Sequence, residues 1–328
     1  MRHLCARAGF VVVAALLLLC ITVSTGMAQE SAARVCVIVP HFKDEYWLSV
    51  GFGLQQAADE TGTELRIYES GGYHSLARQI DLLETCRNGS SNAVLIGAVS
   101  ADDPTLLAAV SEAAATQPVL ALVNALTSPD LSGWVGVDWH GMGTAVGGFL
   151  TLRHPSGSAP ARAVLITGPD QSGWGPILDG GLSAGLAGSS VTIVATYRAD
   201  TGLREQLRQV ERALADHPDV DYLIGSAPAI EGAMALYRRL PDGGHRPTLV
   251  ATYISHSVLR GLKSGKVEMV PFDDPIAQGR LGLELALRST RGQSFPGVSG
   301  PRITTVIAGT EQVRDIRLSP AGFFPVLE

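Results

Sequence analysis

The sequence predicts an α/β protein built from two doubly wound, parallel-sheet lobes. Three observations carry this expectation. Short apolar runs alternate with amphipathic segments from Val35 almost to the C-terminus, and a strand–helix–strand rhythm calls for parallel strands joined by right-handed crossovers. The chain has 328 residues, more than one ordinary domain needs. It holds 37 glycines and only 6% aromatic residues, a balance that suits helices packed closely on parallel strands.

The first strand series is expected at Val35–Pro40, Glu64–Glu69, Ala93–Ile96, Val119–Val123 and Val135–Val137, each a short apolar run. Helical patterns at Trp47–Glu60, Leu76–Arg87 and Thr105–Ala115 lie between them. Gly62 closes the first helix and Pro118 precedes a strand. A second strand series follows at Ala163–Thr167, Thr192–Tyr197, Tyr222–Gly225, Leu249–Tyr253 and Val267–Pro271. Its helices are expected at Leu203–Ala215, Ile230–Arg239 and Ile276–Arg288. The polar stretch His154–Arg162, with two prolines and a glycine, reads as a surface loop. No internal repeat stands out.

The N-terminus predicts export. Arg2, His3 and Arg7 precede an apolar run from Phe10 to Val23, and Gly26-Met27-Ala28 supplies the small residues of a cleavage site. That is the pattern of a secretory signal peptide over residues 1–28. The run falls short of the ~20 residues a membrane span needs, so the chain is not expected to be membrane-embedded. Cys20 follows Leu17-Leu18-Leu19, which lacks the small residue expected before a lipidated cysteine. The net charge is −6 at pH 7 and basic runs are absent, which argues against nucleic acid.

Removal of the leader leaves two cysteines, Cys36 and Cys86. An even pair in an exported protein reads as a disulfide. Cys36 opens the first strand, and Cys86 ends the crossover helix that passes over that strand, so both fall at one end of the lobe.

Catalytic signatures are missing. The sequence has no nucleophile elbow, no P-loop and no paired histidines at metal spacing. A binding protein without metal or cofactor is the expectation, not an enzyme. Gly168-Pro169-Asp170-Gln171-Ser172-Gly173 follows a strand but carries no lysine after it, and reads as a connecting loop.

The aromatics are few and well placed. Tyr46 and Trp47 follow the first strand, Tyr73 follows the second, Trp139 begins a helix after Val137-Asp138, and Tyr253 ends a late strand. In doubly wound sheets ligands sit beyond the carboxyl ends of the strands. All five residues therefore point to the cleft between lobes, although each by itself also fits a core position. Asp44 precedes Tyr46 in the same loop and Asp273 follows a late strand, and carboxylates beside aromatic faces suit a cation. A helix cap for Asp44 and a turn for Asp273 are the competing roles. Asp138 reads as a cap or hinge residue, and Asn124 and Gln278 as hydrogen-bonding groups.

The run from Pro40 through Asp44, Tyr46 and Trp47 to Val50 resembles the first-strand motif of the type I periplasmic binding proteins that serve trimethylamine N-oxide respiration. Gly71-Gly72-Tyr73, Val135-Gly136-Val137-Asp138-Trp139, Tyr253-Ile254-Ser255-His256 and Gln278-Gly279-Arg280-Leu281 extend the likeness to Leu318-Ser319-Pro320. The resemblance implies location in the periplasm, trimethylamine N-oxide or a similar small amine as ligand, and the periplasmic domain of a sensor histidine kinase as signalling partner. It carries Asp44, Tyr46, Trp47, Tyr73, Trp139 and Tyr253 over as pocket residues, with Asp273 at a less closely matching position. His140 and Trp174 depart from the family pattern; Trp174 and the Phe323-Phe324 tail are exposed candidates for partner contact, with core packing the favoured role of the two phenylalanines. The resemblance also implies three hinge crossings, with one lobe of 35–136 plus 273–299 and another of 137–272 plus 300–328. A transporter's binding protein for a sugar or quaternary amine is the second reading.

Overall fold

The computed structural model describes residues 32–241 and 243–328. The expected signal peptide lies outside the described residues. The first sheet is formed by β1 (Arg34–Val39), β2 (Glu64–Glu69), β3 (Ala93–Ile96), β4 (Val119–Val123), β5 (Gly133–Gly136) and β11 (Phe295–Ser299). Its order is β11-β5-β4-β3-β1-β2. The second sheet is formed by β6 (Ala161–Thr167), β7 (Val191–Arg198), β8 (Tyr222–Gly225), β9 (Thr248–Ala251), β10 (Val267–Phe272) and β12 (Thr304–Ile307), in the order β12-β10-β9-β8-β6-β7. Every pairing is parallel except β10 with β12. The expected fold class is therefore the observed one.

The central strands are buried on both faces, which is why they read as continuous apolar runs. Helices α1 (Glu45–Thr61), α2 (Leu76–Asn88) and α3 (Pro104–Ala114) cover the first sheet, with α9 (Pro275–Ser289) beside α1. Helices α4 (Trp139–Arg153), α5 (Gly175–Gly185), α6 (Leu203–Asp216), α7 (Ala227–Tyr237) and α8 (His256–Lys263) serve the second sheet, and the short α10 (Gln312–Asp315) follows β12. Helix α5 and the two short strands β11 and β12 were not legible in the sequence, because each is glycine-rich or largely exposed.

Asp44 caps α1, its side chain accepting the Tyr46 N–H at 3.1 Å, and Gly62 ends the helix at φ 67°. Close helix pairs explain the abundant glycine: a Cβ at Gly53 would collide with the Ile276 carbonyl, and one at Gly143 with that of Leu178. Cys36 in β1 and Cys86 in α2 form a disulfide with Cα atoms 5.8 Å apart.

The chain passes from one sheet to the other after β5, after β10 and between β11 and β12. The C-terminal residues depart from the expected second-lobe assignment of 300–328. Phe323 packs on Phe52 and Phe324 on Phe42, with ring centroids 5.1 and 5.6 Å apart, and the Glu328 N–H donates to the Ile67 carbonyl. The tail therefore lies against the first lobe. Phe42 and Phe52 offer it an apolar seat, and β2 is an edge strand with backbone acceptors to satisfy.

Candidate ligand-binding site

The carboxyl ends of both sheets face one small, nearly filled cavity of about 10 Å³. Asp44 at the end of the loop after β1 and Tyr46 and Trp47 in the first turn of α1 reach it, and the loop after β2 brings Tyr73. Val123 ends β4 and Asn124 follows it, Trp139 starts α4, and Trp174, Thr201 and Tyr253 close the wall from the second lobe. The rings meet edge to face: Tyr46 and Tyr253 stand 5.5 Å apart at 80°, and Trp174 and Tyr253 5.5 Å apart at 85°. Trp139 lies 5.6 Å from Trp174.

Several polar hydrogens of the wall are spent within the protein. Trp139 Nε1 donates to the Val123 carbonyl at 3.1 Å. That carbonyl is presented by an unusual backbone: Val123 has φ 65°, and the Asn124 N–H closes a three-residue turn on the Leu122 carbonyl at 2.8 Å. A β-branched residue in the left-handed region is strained, and such strain persists where the surroundings fix it. Asn124 Nδ2 donates to the Ala98 carbonyl at 2.8 Å and to the Tyr73 hydroxyl at 3.1 Å. Trp174 Nε1 donates to the same hydroxyl at 3.0 Å. The Tyr73 oxygen thus accepts two hydrogen bonds, which leaves its own hydrogen for the cavity.

The carboxylates are set apart by depth. Tyr253 donates to Asp44 Oδ2 at 2.6 Å, and Tyr46 donates to Asp273 Oδ2 at 2.7 Å. Burial pushes the Asp44 carboxyl up to about 6, against the Tyr253 and Tyr46 hydrogen bonds that lower it. Burial likewise pushes Asp273 up to about 6, opposed by Tyr46 and Gln278. Burial raises the Tyr46, Tyr73 and Tyr253 phenols, so all three remain protonated donors.

Six of the seven expected ligand-site residues line the cavity: Asp44, Tyr46, Trp47, Tyr73, Trp139 and Tyr253. Asp273 does not. It sits behind Tyr46, where Gln278 Nε2 also reaches it at 3.1 Å, so it supports the wall. Asp44 fills both roles that its sequence position allowed, cap and cavity wall. Asp138 stands at the N-cap of α4 with no side-chain capping bond, and His140 is exposed, 3.4 Å from Thr144 Oγ1.

Trp174 corrects the expectation of an exposed partner contact: it is 3% exposed and forms a wall of the cavity. Its loop between β6 and α5 read as a plain connection, but glycines made the room, since a Cβ at Gly168 would strike the indole. Thr201 was likewise invisible, a small polar residue after an exposed-edge strand.

Two parallel lobes closed on a small cavity at their strand ends define the class of periplasmic ligand-binding proteins. The family described as "Periplasmic binding protein domain" matches residues 35–294. The periplasmic protein TorT of Escherichia coli strain K12 is 36% identical over 305 residues, covering 92% of this chain and 86% of that protein. The TorS sensor domain–TorT complex without ligand superimposes its TorT-like chain with a TM-score of 0.79 at 34% identity, covering 90% of this chain and 100% of that one. The corresponding complex in the presence of TMAO gives 0.78, with the same identity and coverage. An ABC transporter solute-binding protein from Bradyrhizobium sp. BTAi1, with bound bis-tris, gives 0.74 at 32% identity, covering 91% and 90%. The chain belongs to the periplasmic binding protein family, in the branch of TorT.

Proposed function

We propose that this chain is a sensory binding protein of the periplasm, which takes trimethylamine N-oxide into the aromatic cavity and acts with a TorS-like sensor histidine kinase. The observation that carries the reading is the kinship with TorT over most of both chains, joined to a cavity whose chemistry suits that ligand.

Trimethylamine N-oxide carries positive charge on a methylated nitrogen and negative charge on oxygen. Trp47, Trp139 and Tyr253 offer ring faces and edges to the methyl groups, and Asp44 supplies the negative charge. The unspent Tyr73 hydrogen is the donor for the ligand oxygen. A sugar would need several free, planar polar groups, whereas Asn124 here is committed to Tyr73 and Ala98. The two lobes, hinged near Val135–Asp138, Phe272–Asp274 and Gly297–Arg302, close over the ligand and shape the surface that the kinase reads. The protein binds and signals without catalysis.

Likeness to a transporter's solute-binding protein favours one second reading, delivery of an amine to a permease. Calorimetric titration with trimethylamine N-oxide, choline, betaine and ribose, followed by association with the purified periplasmic domain of the kinase, separates the two. Tighter binding of ribose than of trimethylamine N-oxide overturns the ligand. Failure to associate with the kinase domain, with or without ligand, favours transport.

A further inference from the structure

We propose that Asp200, which is not among the residues lining the aromatic cavity, latches the second lobe onto the first and positions Tyr73 as the cavity's hydroxyl donor. This inference rests on the binding reading above for its affinity test, but not for its test of closure.

Asp200 follows β7 in the second lobe, and both of its carboxylate oxygens are used by the first. Oδ1 lies 2.9 Å from His41 Nε2, and Oδ2 accepts the Tyr73 N–H at 2.8 Å. An ionised carboxylate only accepts, so the ring nitrogen donates. His41 is fully buried just past β1, and Thr201 Oγ1 adds a 3.3 Å contact to the same nitrogen. One side chain therefore grips the loops after β1 and after β2 together.

Its base is rigid. The buried Gln206 Nε2 donates to the Ala199 carbonyl at 2.8 Å and the Asp200 carbonyl at 3.2 Å, and Gln206 Oε1 accepts from Ser226 Oγ at 2.9 Å. Its approach is kept clear, because any Cβ at Gly72 would collide with the Asp200 carboxylate. Burial pushes the Asp200 carboxyl up, but the His41 contact and the Tyr73 and Thr201 N–H groups outweigh it, holding the acid below its usual range.

These bonds join the lobes and need no ligand. They exist only while the lobes are together, and they set the backbone of Tyr73, a wall residue with a hydrogen to offer. Asp200 is thus a positioning residue, and it biases the free protein toward closure.

Three variants test this: Asp200→Ala, Asp200→Asn and His41→Phe. Asp200→Ala should weaken trimethylamine N-oxide binding about ten- to a hundredfold, the loss expected for a charge-assisted hydrogen bond. The loss should lie in faster release, with the association rate unchanged and tetramethylammonium, which has no oxygen to accept from Tyr73, weakened less. Asp200→Asn should recover most of it, since an amide can accept from Tyr73 and donate to His41. His41→Phe should reproduce part of the loss, and adding it to Asp200→Ala should cost less than it does alone. Small-angle scattering of ligand-free Asp200→Ala should show a more open molecule than the wild type. Wild-type affinity and wild-type scattering in Asp200→Ala overturn the proposal, as does an equal loss for trimethylamine N-oxide and tetramethylammonium. If the wild type does not bind trimethylamine N-oxide, the ligand reading fails, and the ligand-free scattering still decides the latch.

Discussion

The Tyr253 hydroxyl reaches from the second lobe to Asp44 on the first, 2.6 Å from its Oδ2, and so joins the lobes inside the cavity. The bond sets the orientation of the carboxylate that a methylated cation would meet. It also ties the ionisation of Asp44 to closure, because burial is what raises that acid.

Affinity should therefore fall with pH. Asp44 is ionised above about 6 and neutral below, and only the charged form attracts the ligand's positive nitrogen. Titrations between pH 8 and 5 should show trimethylamine N-oxide binding weaken progressively through pH 6. Asp44→Asn should bind weakly at every pH and lose that dependence. A wild-type profile flat across this range refutes the role given to Asp44.

Stability of the free protein should move the other way. The Asp273 carboxyl is raised from 3.8 to about 6 in the folded state, so the native protein holds its proton more tightly than the unfolded chain. That contribution is fully present below the unfolded value and is lost as pH rises through about 6. Asp273→Asn should remove it, gaining stability relative to the wild type at pH 7 but not at pH 4. Denaturant melts of both proteins at the two pH values measure it, and a relative loss at pH 7 would count against a carboxylate whose burial outweighs its Tyr46 and Gln278 hydrogen bonds.

Trp139 and Tyr73 should behave differently. Trp139 is 3% exposed and holds the strained Val123 turn, so Trp139→Ala should cost stability, by about 3–5 kcal/mol, as well as affinity. Tyr73→Phe changes no ring packing and should affect stability less. It should weaken trimethylamine N-oxide markedly and tetramethylammonium little, because only the former carries an oxygen to accept the hydrogen. Equal losses for both ligands would show that the Tyr73 hydroxyl does not meet the ligand oxygen.

The Cys36–Cys86 bridge closes a 50-residue separation. In the chain-entropy account such a loop contributes about 4 kcal/mol. Chemical unfolding with and without reductant should differ by an amount of that order. Midpoints that coincide under complete reduction would refute the estimate.

Local sequence determined much of this protein. Strand runs, helix caps and the strand-end placement of Tyr46, Trp47, Tyr73, Trp139 and Tyr253 were legible because alternation and chain order are local signals, and a doubly wound sheet puts every strand's carboxyl end on one side. The Cys36–Cys86 pairing followed from the same topology. Tertiary structure alone decided which lobe-spanning contacts form. It turned Asp273 away from the cavity to hold Tyr46, buried Trp174 against Gly168, carried the Phe323-Phe324 tail back to the first lobe, and set Asp200 on His41 and Tyr73. Those partners lie far apart in sequence, where no periodicity links them, and side-chain direction depends on how two separately folded sheets meet.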